Sequence, residues 1–410
     1  MDLKNIIYKR FERYVKIDTQ SDEASRTFPS TKKQLVLLKL LAAELKAIGA
    51  RNVKLDKYGY VTGEVPATTK EKKPVIAFLA HVDTSPAASG KNVRPQLHKR
   101  WKGGDIHISR RHGIILNKKN CPELAGCAGD DIITASGDTL LGADDKAGLA
   151  IIMSAAEYLL AHKEIPHGLL KIGFTPDEEV GQGVKYFNVK TFKADCAYTF
   201  DGDVAGAVED ENFNADGVKI TIEGKSVHPG TAKNAMANAA RIAADIVASW
   251  PENLLPETTE GREGFIMFTD ISGETEKAEI AGIAREHDPK KLKAMERQLE
   301  AIVAAKRLKY PLARIEVSFR EQYRNMKEVI DRRPDVMGKL MSAVRAAGLE
   351  PHVKPVRGGT DGARLSFMGL PTPNVFTGGY NYHGRYEWVS LDGMNKSAEV
   401  LVNLAREWAK

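Results

Sequence analysis

Apolar positions divide the chain into recognisable elements. The opening stretch "MDLKNIIYKRFERYVKID" spreads acids and bases among its apolar residues and reads as an amphipathic helix. Residues 31–48, "TKKQLVLLKLLAAELKAI", have helical periodicity with a stop at Gly49. Short apolar runs then predict strands at "NVKLD", "YVTGEV" and "PVIAFLA". Residues 86–138 are rich in glycine and polar residues, which predicts an excursion of loops and short strands. A helix over 146–162, the strand "GLLKIGFT", a helix near 181–190 and the strand "CAYTF" follow. Strands that are apolar without alternation, separated by helices, predict a largely parallel sheet covered on both faces.

The texture changes at "DGDVAGAVEDENFNADG", which predicts a hinge near 205–216. Beyond it come the strand "VKITIEG", a helix over 233–249, the strands "EGFIMFTDISG" and "KAEIAGIAREH", a helix over 288–306 and the strand "RIEVSFREQY". That β-α-β-β-α-β order is the split βαβ pattern of a ferredoxin-like α+β domain. The α/β texture then returns, with a helix over 334–347, the loop "RGGTDGARLS", the strand "TPNVFTGG" and a helix over 393–409. The expected fold is an α/β catalytic domain with a mostly parallel, mixed sheet, formed by 1–207 and 326–410 and interrupted by a smaller domain over 208–325.

Composition narrows the function. At 410 residues, 42% hydrophobic and 28% charged, the chain is ordinary globular material. No apolar run reaches the roughly 20 residues of a membrane helix, and the first helix lacks the build of a signal peptide. The net charge of +6 could suggest a nucleic-acid partner. However, the bases sit among acids, as in "KKLKAMERQLEAIVAAKRLK", the pattern of a solvated helix face. Three cysteines, Cys121, Cys127 and Cys196, have no metal-type spacing and read as free thiols of a cytoplasmic protein. A Cys121–Cys127 disulfide or zinc pair is the alternative.

Chemistry gathers where strands end. "VIAFLA" leads into His81-Val82-Asp83, "LLKIGFT" into Asp177-Glu178-Glu179, "CAYTF" into Asp201, and "NVFTGGYNY" into His383. Asp144 and Asp145, in "LLGADDKAG", lie where a loop enters a helix. Loops beyond the carboxyl ends of strands converge in open α/β sheets, so these groups are candidates for one site. His81 and Asp83 are two apart and in extended chain point the same way, which suits a metal-bound imidazole oriented by a carboxylate. Glu178 and Glu179 in extended chain point apart, so one could bind metal while the other acts as a general base. Crowded carboxylates repel one another, and two divalent cations would balance about four of them. Imidazole and carboxylate donors suit zinc, with manganese or cobalt as alternatives.

Residues of these types, in this order, resemble the M20 family of metallopeptidases. The resemblance spans nearly the whole chain and rests on "HVDTSPAASGKNVRPQ", "TLLGADDKAGLA", "FTPDEEVGQG", "SVHPGTAKNAMANA", "RGGTDGARLSFMGLPTPN" and "GGYNYHGRYEWVSL". It implies a zinc-peptidase-like catalytic domain with the inserted domain as a lid. It also implies that His81, Asp144 and Asp201 hold one metal, while Asp144 bridges to a second held by Glu179 and His383. Glu178 would be the base that takes a proton from the metal-bridging water, giving the hydroxide that attacks, and passes it to the leaving amine, and Asp83 would orient His81. His228, in "KSVHPG", would stabilise the oxyanion, and Arg357, in "RGGTDG", would clamp a substrate carboxylate.

Within the family, the long loops are most similar to enzymes that release the N-terminal residue of tripeptides. The metal residues alone would serve a dipeptidase, a carboxypeptidase or an N-acyl amino-acid deacylase equally well. A non-catalytic peptide-binding protein would have no need of Glu178. The expected partners are short peptides, with neither nucleic acid nor membrane. Some family members pair through the inserted domain, and helix 288–306 could do so, although its pattern also fits packing on its own sheet.

Overall fold

The computed structural model describes residues 2–410, which divide into two compact units. One comprises Met1–Asp210, Met326–Lys354 and Thr360–Lys410, the other Glu211–Asn325 with Pro355–Gly359. The short return at 355–359, expected within the second part of the catalytic domain, belongs to the second unit. Val356 bridges Asn212 in parallel and its N–H donates to Glu211 O at 2.8 Å.

The first unit is built on an eight-stranded mixed sheet. Its order is Arg51–Leu55, Val61–Val65, Leu170–Thr175, Ile76–His81, Cys196–Gly202, Asn374–Phe376, Ala207–Glu209, His352–Val353. The four central strands, Leu170–Thr175 to Asn374–Phe376, run parallel. Three of the outer pairings are antiparallel. Strand Ile76–His81 is buried along its whole length. Ile76, Phe78 and Ala80 join the large core beneath the helices Lys4–Val15, Ala143–Ala161 and Leu391–Glu407. Ala77 and Leu79 face the other way, into a cluster with Tyr60, Phe187, Phe192 and Leu365. Both faces are therefore covered, the physical reason the strand's sequence does not alternate.

Register brings the strand ends level. His81 pairs with Thr175, Leu79 with Thr199, and Gly202 with Phe376. A second, four-stranded sheet orders Gly379–Tyr380, Trp388–Ser390, Ile132–Thr134 and Gln96–His98. Part of the 86–138 excursion thereby supports the hairpin that carries His383. Tyr380 and Trp388 stack at 4.0 Å over a small core that includes Cys121 and Cys127. All three cysteines are free and buried, and Trp388 Nε1–H donates to Cys121 Sγ at 3.2 Å.

The helix expected near 181–190 is absent. Consecutive turns lead instead to a single helical turn, Val189–Phe192. Gly181 adopts φ +66°, and at Gly183 a Cβ would come within 2.3 Å of Asp361 Oδ1. Backbone groups left over by these turns are satisfied by Tyr60, whose hydroxyl donates to Gly183 O and accepts from Tyr186 N–H.

In the second unit the strands Asn214–Glu223, Phe265–Gly273, Lys277–Glu286 and Arg314–Tyr323 form an antiparallel sheet. Counted in chain order they lie 2-3-1-4, and the helices Ala239–Val247 and Pro289–Lys309 complete a β-α-β-β-α-β chain. Burial alternates along Lys277–Glu286, so one face is packed. Ile242, Ile246, Leu292 and Leu299 from the two helices meet Ile220, Ile222 and Ile280 there. Among the described residues no helix is long and apolar enough to cross a membrane.

Candidate metal centre

His81 ends a central strand and is 2% exposed. Its Nδ1 lies 3.1 Å from the main-chain oxygen of Asp83 and 3.3 Å from Asp83 Oδ1. Both are acceptors, so an Nδ1–H would donate to the nearer main-chain oxygen and leave Nε2 to face the other way. There it meets Asp144 Oδ1 at 2.9 Å and Asp201 Oδ1 at 3.4 Å. His383, on the exposed hairpin, directs Nε2 at Asp144 Oδ2, 3.1 Å away, and at Glu179 Oε2, 2.9 Å away. The other four expected ligands thus gather around the Asp144 carboxylate.

Imidazole nitrogens that face several carboxylates call for positive charge between them, a proton on the ring or a metal ion. Glu179 Oε1 is buried and has no hydrogen-bond partner among the described residues. Ligand atoms of His81, Asp144 and Glu179 fall within 4.8 Å of one another. Tetrahedral ligand atoms about 2.1 Å from an ion stand about 3.4 Å apart, close to the separations seen here. Imidazole and carboxylate donors with one orphaned oxygen fit divalent metal.

Electrostatics agree. Burial pushes the Glu179 carboxyl up to about 8, reinforced by the charge of Asp144, and burial lifts Asp201 to about 6. Glu178 is pushed well above its ordinary range, first by burial. His383 is held up to about 11 by its bonds to Asp144 and Glu179. Burial opposes the charge of Asp144, but the bonds to His383 and His81 outweigh it and keep its carboxyl below the usual range.

The acids that do not face this centre hold its loops. Asp83 is fully buried and does more than accompany His81. Its Oδ1 accepts from Glu178 N–H at 3.0 Å and its Oδ2 from Glu179 N–H at 3.1 Å. The two glutamates consequently ride a tight turn, where extended chain had been expected. Asp177, the first acid of that run, turns away with φ +59°. It accepts from Ser30 N–H and Gln34 Nε2, each at 2.6 Å, and from the Ser30 hydroxyl.

Asp145 shares a second acid–imidazole group with His81 and Asp201. Its oxygens are nevertheless committed, Oδ2 to His81 N–H at 3.2 Å and Oδ1 to Gly148 N–H at 3.1 Å. That leaves Asp144 as the aspartate free to face the centre. Both residues depart from helical backbone at the mouth of their helix.

Two buried acids were not singled out by sequence reasoning. Asp361 accepts from Thr175 Oγ1 at 2.9 Å, and burial pushes it up to about 7. Glu387 accepts three N–H groups from residues 141–144, and burial raises it to about 7 as well. Asp361 lies inside "RGGTDG" and Glu387 four residues past His383, so proximity to motifs already chosen was the available signal.

His228 and Arg357 lie in the second unit. His228 is exposed, and its Nδ1 accepts from Gly230 N–H at 3.1 Å. Arg357 stacks over Phe213 and Phe265. Its Nη1 donates to Gly261 O and Glu263 O, and its Nη2 to the carbonyl and hydroxyl of Thr259. With both terminal nitrogens engaged, the fork expected to clamp a carboxylate is not open in this conformation.

The family model for peptidase family M20/M25/M40 matches residues 140–407. A peptidase T from Caldanaerobacter subterraneus is 48% identical over 404 residues, covering 98% of this chain and 99% of its own. The crystal structure of an aminopeptidase PepT from Bacillus cereus superposes with a TM-score of 0.78 at 22% identity, covering 99% of both chains. A dinuclear metal-binding M20 peptidase from Bacillus subtilis superposes with a TM-score of 0.67 at 14% identity, covering 98% of both. With such a match along its whole length, and with these acids and imidazoles meeting at the strand ends, the chain belongs to the peptidase family M20/M25/M40 and, within it, to the peptidase T group.

Proposed function

We propose that the protein is a metal-dependent aminopeptidase that releases the N-terminal residue of short peptides, tripeptides above all. The observation that carries this reading is the meeting of His81, Asp144, Glu179, Asp201 and His383 around one carboxylate, in a chain 48% identical to a peptidase T.

His81, Asp144 and Asp201 would hold one divalent ion, and Asp144, Glu179 and His383 a second, with zinc best suited to the donors. When bound, such a pair polarises a peptide carbonyl and makes water acidic enough to attack at neutral pH. Glu178 takes the proton of the attacking water and hands it to the departing amine. Asp83 serves both tasks, because it fixes the turn that separates the base from the ligand and faces the Nδ1 side of His81. His228 donates a hydrogen bond to the developing oxyanion. Arg357 would meet a substrate carboxylate only by exchanging bonds it now makes to the 259–263 loop.

The test is an activity profile on free peptides of one to five residues, before and after chelation, with N-blocked peptides as controls. Release of the first residue from tripeptides, lost on chelation and restored by zinc, is expected. Cleavage of N-blocked peptides would defeat the aminopeptidase reading.

A further inference from the structure

Four residues beyond His383, Glu387 is 1% exposed, and all three hydrogen bonds to its carboxylate come from main-chain N–H groups. Its Oε2 accepts from Leu141 at 2.6 Å and Gly142 at 2.8 Å, and its Oε1 from Asp144 at 3.1 Å. Gly142 reaches this arrangement with φ +79°, in the left-handed region that favours glycine. Glu387 N–H in turn donates to Gly384 O at 3.3 Å, within the turn that follows His383. One carboxylate therefore ties the loop presenting Asp144 to the hairpin presenting His383, much as Asp83 ties the Glu178–Glu179 turn to the His81 strand.

We infer that Glu387 is a positioning residue for the metal centre: it holds the 141–144 main chain against the His383 hairpin and so sets where the Asp144 carboxylate stands between the two imidazoles. This rests on the reading that those residues bind metal. Both oxygens are needed. An amide at this position could accept on one side only, and on the other would turn an N–H toward an N–H.

The test titrates cobalt(II) into metal-free wild type and Glu387→Gln, following the visible absorption of the bound ion and heat of binding, with circular dichroism as the check on fold. Wild type should take up two ions. A folded Glu387→Gln variant should bind at least one of them about 10–100-fold more weakly, with an altered absorption band, the usual scale for a group that orients a ligand. At saturating metal its kcat should fall more than its KM rises. Wild-type affinity and spectrum in the folded variant would overturn the inference. Loss of the fold in both Glu387→Gln and Glu387→Ala would overturn it too, by making Glu387 a residue of the fold and not of the site. Wild type that binds no cobalt would defeat the metal reading itself, whatever Glu387 does.

Discussion

His383 Nε2 stands 2.9 Å from Glu179 Oε2, while the other oxygen of Glu179 is buried with no hydrogen-bond partner among the described residues. An imidazole and a half-satisfied carboxylate placed this way are the donors that the proposed second metal would use. Replacing either residue with alanine should leave one ion where wild type holds two, counted by elemental analysis, and lower turnover by more than ~100-fold. Full metal content in both variants would remove Glu179 and His383 from the centre.

Glu178 separates cleanly from its neighbour. Its main-chain N–H is held by Asp83, so Glu178→Gln keeps the turn and the ligands in place. Metal content should stay at the wild-type level while kcat falls ~100- to 10000-fold, the scale of a lost general base. Single-turnover kinetics on a tripeptide would show the loss in the chemical step. A rate within a few-fold of wild type would assign the proton transfer elsewhere.

Asp177 belongs to stability. Asp177→Ala strands the buried Ser30 N–H and the Gln34 amide, and places alanine at φ +59°. Urea unfolding should show a loss of about 2–4 kcal/mol. Asp177→Asn, which tolerates the left-handed backbone, should lose less. Both should retain metal stoichiometry.

Glu209 sets a pH dependence. Burial pushes its carboxyl from the ordinary 4.5 to about 8, with the charge of Asp203 adding, while Asn374 and Lys354 oppose the rise. The folded protein thus keeps a proton that the unfolded chain has lost between those values, and stability falls as pH rises from about 4.5 through about 8. Glu209→Gln removes this component. Its Tm should drop less than that of wild type between pH 6 and pH 9, measured by thermal melts across that range. Parallel curves for the two proteins would refute the assignment.

Much of the candidate site was legible along the chain because most of its expected ligands lie at or just beyond strand ends, and strand ends can be read from apolar runs. His81, Glu179, Asp201 and His383 were found that way, whereas the choice of Asp144 over Asp145 was not. Adjacent aspartates at a helix mouth look alike until one is seen spending both oxygens on His81 N–H and Gly148 N–H. The turns over 181–188 escaped prediction for a similar reason. The pattern "GQGVKYFNVKTF" is helical enough in composition, but the crowding of Gly183 by Asp361 is a long-range fact.

The order of apolar and polar residues by itself determined the α/β texture, the β-α-β-β-α-β segment, and which acids and imidazoles would reach the strand ends. Those depend on local periodicity and on the rule that loops past parallel strands converge. Only the tertiary structure decided which oxygen faces which nitrogen, that Asp83 and Glu387 stitch the ligand loops together, and that the Arg357 fork is occupied by carbonyls. Hydrogen bonds are short and directional, and their partners here come from strands and hairpins far apart in the chain, so no local pattern could have chosen among them.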